Sequence, residues 1–135
     1  MVNNIFRRNA KNIKDYKNKI NRVDKLIKDV SKVISERFKL IEELQRREKR
    51  IRREFDRAVS QKKKNNVNRL AKDGKRTTAA IVHFLELQDE SLGQLKDLQI
   101  IKNQTNANMY RLTQNFISEY LRNSNSNGNG NGNRR

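Results

Sequence analysis

Apolar residues recur through the first half of the chain in alternating steps of three and four. The series is Ile13, Tyr16, Ile20, Val23, Ile27, Val30, Ile34, Arg37, Ile41, Leu44, Glu48, Ile51, Phe55 and Ala58, and twelve of its fourteen positions are apolar. Only an α-helix gathers such positions on one side, and the mean step of about 3.5 is that of a left-handed helical seam. One helix cannot hide such a stripe, so the pattern predicts a partner helix in the same chain or in a neighbour. The second half carries a looser seam through Val67, Leu70, Thr77, Ile81, Phe84, Leu95, Leu98, Met109, Leu112 and Phe116, which Leu85, Leu92 and Ile101 widen. Between the halves lies a polar stretch without seam residues, and a connection this short predicts antiparallel neighbours.

The expected fold is therefore all-α, a long antiparallel helical hairpin of coiled-coil type. Helix 1 is expected over about 9–61, the turn over about 62–65 and helix 2 over about 66–121. The seam of the hairpin is assigned to Ile20, Ile27, Ile34, Ile41, Leu44, Ile51, Phe55, Leu70, Ile81 and Phe84. Low helix propensity at Asn103-Gln104-Thr105-Asn106 marks a place where helix 2 can bend or hinge near 103–106. Gly74 and Gly93 each cost about 1 kcal/mol relative to alanine inside a helix. Close approach of the two helices accounts for Gly74, and Gly93 has no account at the level of sequence. Residues 1–8 read as a short amphipathic leader. Residues 122–135, an Asn/Gly/Ser-rich run, read as a disordered tail that can bury nothing.

Composition narrows the picture. Only 33% of residues are hydrophobic and 6% aromatic, thin for a globular core but sufficient for two rods sharing one seam. The chain contains no proline, so the helices meet none of the strongest breakers, and no cysteine, so disulfides and thiolate metal sites are excluded. That cysteine usage fits a reducing compartment. No apolar run approaches the ~20 residues needed to span a bilayer.

Charge then changes the reading. The net charge is +17. Residues 1–64 hold 22 Lys/Arg against 9 Asp/Glu, a net of +13, and residues 65–135 hold 10 against 6, a net of +4. The positions farthest from the helix 1 seam, spaced by seven, are Lys25, Lys32, Lys39, Arg46 and Arg53, and all five are cationic. At 1.5 Å per residue they draw a basic line of roughly 40 Å along one helix. Acidic residues such as Asp29, Glu36 and Glu43 fall in other columns, so the line reads as a binding face rather than a merely solvated one. Its densest part adds Arg50 and Arg57. In the leader, Val2, Ile5 and Phe6 sit beside Arg7 and Arg8, a combination suited to insertion at an anionic membrane. Weak binding per subunit becomes strong when subunits polymerise.

Catalytic chemistry finds little to work with. His83 is the sole histidine, and it reads as an ordinary helix-surface or boundary residue. Glu42, Glu43 and Glu48 lie among arginines, where i to i+4 pairing at a few tenths of a kcal/mol each accounts for them. No glycine-rich phosphate loop follows a strand. The expectation is a non-enzymatic protein with no cofactor and no metal.

Several stretches resemble one family. Asn66-Val67-Asn68-Arg69-Leu70-Ala71-Lys72-Asp73-Gly74-Lys75-Arg76-Thr77 is similar to the opening of helix 2 in ESCRT-III proteins of the Snf7 superfamily, where a basic turn leads into an Ala-Lys-Asp/Glu element followed by an arginine. Its Arg-Thr form looks most like the charged multivesicular body protein 2 branch. Ile5-Phe6-Arg7-Arg8 resembles that branch's leader, Glu48-Lys49-Arg50-Ile51-Arg52-Arg53-Glu54-Phe55 the charged end of its helix 1, and Leu98-Gln99-Ile100-Ile101-Lys102-Asn103 the approach to its hinge. The likeness spans residues 1 to about 117 and rests on the order and spacing of these segments. It implies a cytoplasmic, peripheral membrane protein, at endosomes or another site of membrane scission, that polymerises with itself and with other ESCRT-III subunits into filaments. It places the lipid-facing role on Ile5, Phe6, Arg7, Arg8 and the basic ridge. Gly74 departs from the family, which tends to a larger apolar residue there. The family's acidic autoinhibitory region and the motif that recruits an AAA ATPase are not present in these residues, as expected of a shortened piece or of a naturally short relative.

Two other readings use the same features. A basic coiled-coil protein can hold nucleic acid on the same ridge, although helix-turn-helix and base-stacking signals are lacking. A helical scaffold subunit can pair its hairpin with other helices of a complex.

Overall fold

The computed structural model describes the backbone of residues 2–132 and the side chains of residues 7–124. It consists of two helices, α1 (Val2–Ser60) and α2 (Lys64–Gly132), with no strand among the described residues. The two form an antiparallel helical hairpin, as the periodicity predicts.

The turn is built by the end of α1. Lys62 N–H donates to Val59 O (3.1 Å) and Lys63 N–H to Ala58 O (3.0 Å). With Lys62 at φ 56°, this is a Schellman closure, in which a left-handed residue lets the chain satisfy the last free carbonyls. Val67 N–H donates back to Lys63 O (3.0 Å), so α2 starts within the same bend. The connection is shorter than the expected 62–65.

Both outer boundaries differ from the expected ones. The leader is continuous with α1, because nothing between residues 2 and 12 interrupts the ladder of i to i−4 bonds. The backbone of α2 is helical to Gly132, past the end expected near 121 and through residues expected to be disordered. With no proline in the run, every residue can still donate to the ladder, whatever its propensity. Nor does α2 break at 103–106. Thr105 is 3% exposed, and its hydroxyl donates to Ile101 O (2.7 Å), which satisfies the polar group inside the helix.

Two compact units are distinguished, Lys28–Lys96 and Met1–Ile27 with Asp97–Arg135. In the first, Ile41, Ala58, Leu70 and Ile81 are buried. Ile20 and Ile27 are half-buried in the second, where Val23 is the buried apolar residue. Ile34, Leu44, Ile51, Phe55 and Phe84 are half-buried in the first. All fourteen positions of the α1 series are withdrawn from solvent at least in part. No large side chain among the described residues is fully buried, the mark of a core one layer deep.

The seam of α2 proves as regular as that of α1. Every position in steps of three and four through 67, 70, 74, 77, 81, 84, 88, 91, 95, 98, 102, 105, 109, 112, 116 and 119 is buried or half-buried, and Asp73, Ala80, Leu87, Asn106 and Thr113 are half-buried beside that series. Six of the series are Gly74, Gln88, Ser91, Lys102, Thr105 and Glu119, which hydrophobicity alone does not place there. Conversely, Leu85, Leu92 and Ile101 do not widen the stripe. They are 45%, 47% and 38% exposed, because they lie one or three positions off the register.

Polar seam residues find partners in two ways. Thr77 and Thr105 bond the carbonyls of Asp73 (2.8 Å) and Ile101 within their own helix. Others reach across. In the Lys28–Lys96 unit, Arg37 Nη1 donates to Leu87 O (2.8 Å) and Ser91 Oγ (2.7 Å), and Gln88 Nε2 donates to Ile34 O (2.9 Å). In the other unit, Lys102 Nζ lies 2.7 Å from Asp24 Oδ1, and Asn9 Nδ2 donates to Glu119 Oε2 (3.2 Å).

Candidate functional site

The packing of α1 against α2 decides which side of α1 faces outward. Since the seam takes up every third and fourth residue, the column seven residues apart on the far side is left to solvent. In the Lys28–Lys96 unit that column is Lys32, Lys39, Arg46 and Arg53, and each is exposed. It spans about 32 Å at 1.5 Å per residue. Arg50 and Arg57, one column over, are exposed as well. In the other unit Lys25, Arg7 and Arg8 are exposed. Every cation assigned to a binding face from the sequence therefore stands in water.

Their freedom matters as much as their exposure. Among the described residues, only Arg46 of these nine has an ion-pair partner, Glu42 at 3.7 Å on the preceding turn. The neighbouring Glu48 takes Arg52 (3.8 Å) and also accepts a hydrogen bond from Thr78 Oγ1 (3.1 Å). Such exposed pairs hold little energy and exchange readily with another anion.

Side chains of the ridge also shape shallow clefts. One is lined by Glu43, Arg46, Lys49, Arg50 and Arg53. A second lies where α1 meets α2, lined by Arg47, Arg50, Glu54, Arg69 and Asp73 over the edges of Ile51 and Leu70. Arg50 borders both. Guanidinium groups gathered around an open cleft suit phosphate oxygens, which accept two parallel N–H bonds from one arginine. Sequence reasoning missed Arg69, because only the hairpin brings the start of α2 beside Arg47 and Arg50.

Other assignments fall differently. The insertion role given to Val2, Ile5 and Phe6 lies outside the described side chains. His83 is exposed beside Phe84, with ring centroids 5.6 Å apart, as expected of a surface histidine. Several large apolar side chains also remain in water, including Leu26, Val33 and Leu40, which repeat every seven residues beside the α1 seam. No described helix is long and apolar enough to cross a membrane. No protein-family model matches the chain, and no curated protein or solved structure matches it either.

Proposed function

We propose that this chain is an ESCRT-III-like subunit that binds anionic membranes through the outer face of α1 and assembles side by side into filaments that remodel them. The observation that carries the reading is the row of exposed cations on α1, of one sign and almost without ion-pair partners among the described residues. At about 1 kcal/mol per cation close to an anionic leaflet, four to six of them give reversible binding, and repetition in a filament makes it strong. The family resemblance adds the expectation of polymerisation. The exposed apolar residues flanking the α1 seam give that assembly surface to bury.

Vesicle cosedimentation tests the reading. Arg46→Glu with Arg50→Glu and Arg53→Glu should abolish sedimentation with phosphatidylserine vesicles while leaving the helical circular dichroism unchanged. Unaltered lipid binding would remove the ridge from the mechanism. Deletion of residues 1–8 should weaken membrane association more than self-assembly, and the opposite ranking would make the leader a packing element. Duplex DNA at equal salt provides the competing arm, and binding tighter than to the vesicles would transfer the ridge to nucleic acid. Negative-stain images with and without acidic vesicles then separate filaments from small oligomers.

A further inference from the structure

The solvent side of α2 carries a pattern unlike anything on α1. From Thr77 to Leu95 there is no Lys or Arg, in a chain where 32 of 135 residues are Lys or Arg. Just before this gap stand Lys72 and Lys75, and inside it stand Glu86 and Asp89. All four are exposed, and none has an ion-pair partner among the described residues.

These four belong to one stripe. Lys72, Lys75, Ala79, Val82, Glu86 and Asp89 follow each other in steps of three, four, three, four and three, the same alternation as the buried seam. All six are exposed, Val82 by 48%, and they lie on the side of α2 turned away from α1. The stripe is complementary to its own reverse. Laid antiparallel on a second copy about a point between Ala80 and Ile81, Lys72 meets Asp89, Lys75 meets Glu86, and Ala79 meets Val82. Each contact then occurs twice, as a two-fold interface requires.

From this we infer that two copies of the chain pair antiparallel through the outer face of α2 between residues 72 and 89. Charge complementarity selects the occupant. Elsewhere a chain of net charge +17 repels its own kind, and this stripe is where a second copy meets opposite charge twice over. Small and apolar side chains at the centre let the helices approach, and the exposed Leu85 and Leu92 flank the contact. Gly93, for which the hairpin offers no reason, continues the stripe by one step, and a Cβ there would meet nothing within the chain.

A consequence follows that rests on the proposed membrane reading. In the Lys28–Lys96 unit the ridge of α1 and the stripe of α2 lie on opposite outer sides. A pair joined through α2 therefore offers cations on two opposed sides and should link one anionic vesicle to another.

Sedimentation equilibrium without lipid tests the pairing by itself. The wild-type chain should show a monomer–dimer equilibrium. Glu86→Lys with Asp89→Lys, and separately Lys72→Glu with Lys75→Glu, should each weaken it about tenfold or more, with helical circular dichroism unchanged. Mixing the two variants one to one should restore a dimer, since each then supplies the charge that the other lacks. Oxidation of an Ala79→Cys, Val82→Cys variant should give a covalent dimer, in a chain that otherwise lacks cysteine. Undiminished association of either charge variant, or a mixture that stays monomeric, would overturn the pairing. With phosphatidylserine vesicles, the wild type should raise turbidity by clustering, and the Glu86→Lys, Asp89→Lys variant should bind without clustering. A chain that dimerises yet ignores vesicles would instead sink the membrane reading and leave the pairing intact.

Discussion

Lys62 shows how one residue can hold a fold at some cost. It closes α1 in a left-handed conformation, φ 56°, that a side chain disfavours by roughly 1–2 kcal/mol and glycine does not. Lys62→Gly should therefore raise stability by about 1 kcal/mol in urea unfolding, with the Schellman bonds retained. No gain would mean that the lysine makes a compensating contact at the turn. Gly74 presents the opposite case. It occupies a seam position, but a Cβ there would sit 3.6 Å from Ile51 Cγ2, an ordinary contact. Closeness of the helices thus permits alanine, and Gly74→Ala should stabilise by about 1 kcal/mol through helix propensity. A longer apolar side chain also has room, because Gly74 lines an open cleft with Phe55, Leu70 and Thr78, so Gly74→Leu should be tolerated at least as well as the parent glycine.

At the level of the helices, the polar layer around Arg37 and Gln88 fixes alignment more than it adds stability. Gln88 Nε2 reaches Ile34 O, but its Oε1 is buried without a partner, and the Arg37 guanidinium is half-buried on Leu87 O and Ser91 Oγ. A buried polar group left without a hydrogen bond costs about 1–3 kcal/mol, and an apolar replacement of similar shape recovers it. Arg37→Leu combined with Gln88→Leu should raise the melting temperature, yet yield mixed oligomers in sedimentation velocity as the seam loses its register marker. A distribution no broader than the monomer–dimer mixture of the wild type would deny the layer its aligning role. This layer also explains what the sequence revealed and what it hid. The α1 seam was legible because twelve of its fourteen residues are apolar, so period and hydrophobicity agree. In α2 they part company. Gln88, Ser91 and Thr105 are buried by position while Leu85 and Leu92 are exposed, so counting apolar residues blurred a register that counting steps would have kept. The outward placing of the ridge followed from the α1 register, whereas Arg69 joined it only through the hairpin. The helix ends were the least legible, since propensity weighs each residue alone and an unbroken ladder carries through poor formers such as those after 121.

For the whole molecule, salt should act in two opposite directions. The net charge of +17 is opposed by few internal pairs: among the described residues, two within α1 at 3.7 and 3.8 Å and one between the helices at 2.7 Å. Repulsion among 32 cations therefore outweighs the attraction that these pairs supply. Raising the ionic strength from 0.01 to 0.15 M shortens the screening length from about 30 Å to about 8 Å. Distant repulsions fade first, and contacts as short as Lys102–Asp24 persist. The melting temperature of the chain alone, followed by circular dichroism, should thus rise by a few degrees over this range. Binding to anionic vesicles should weaken over the same range, because there screening removes attraction instead. A melting temperature that falls with salt would mean that local ion pairs govern stability, and the cations of α1 would then be structural rather than free to meet a partner.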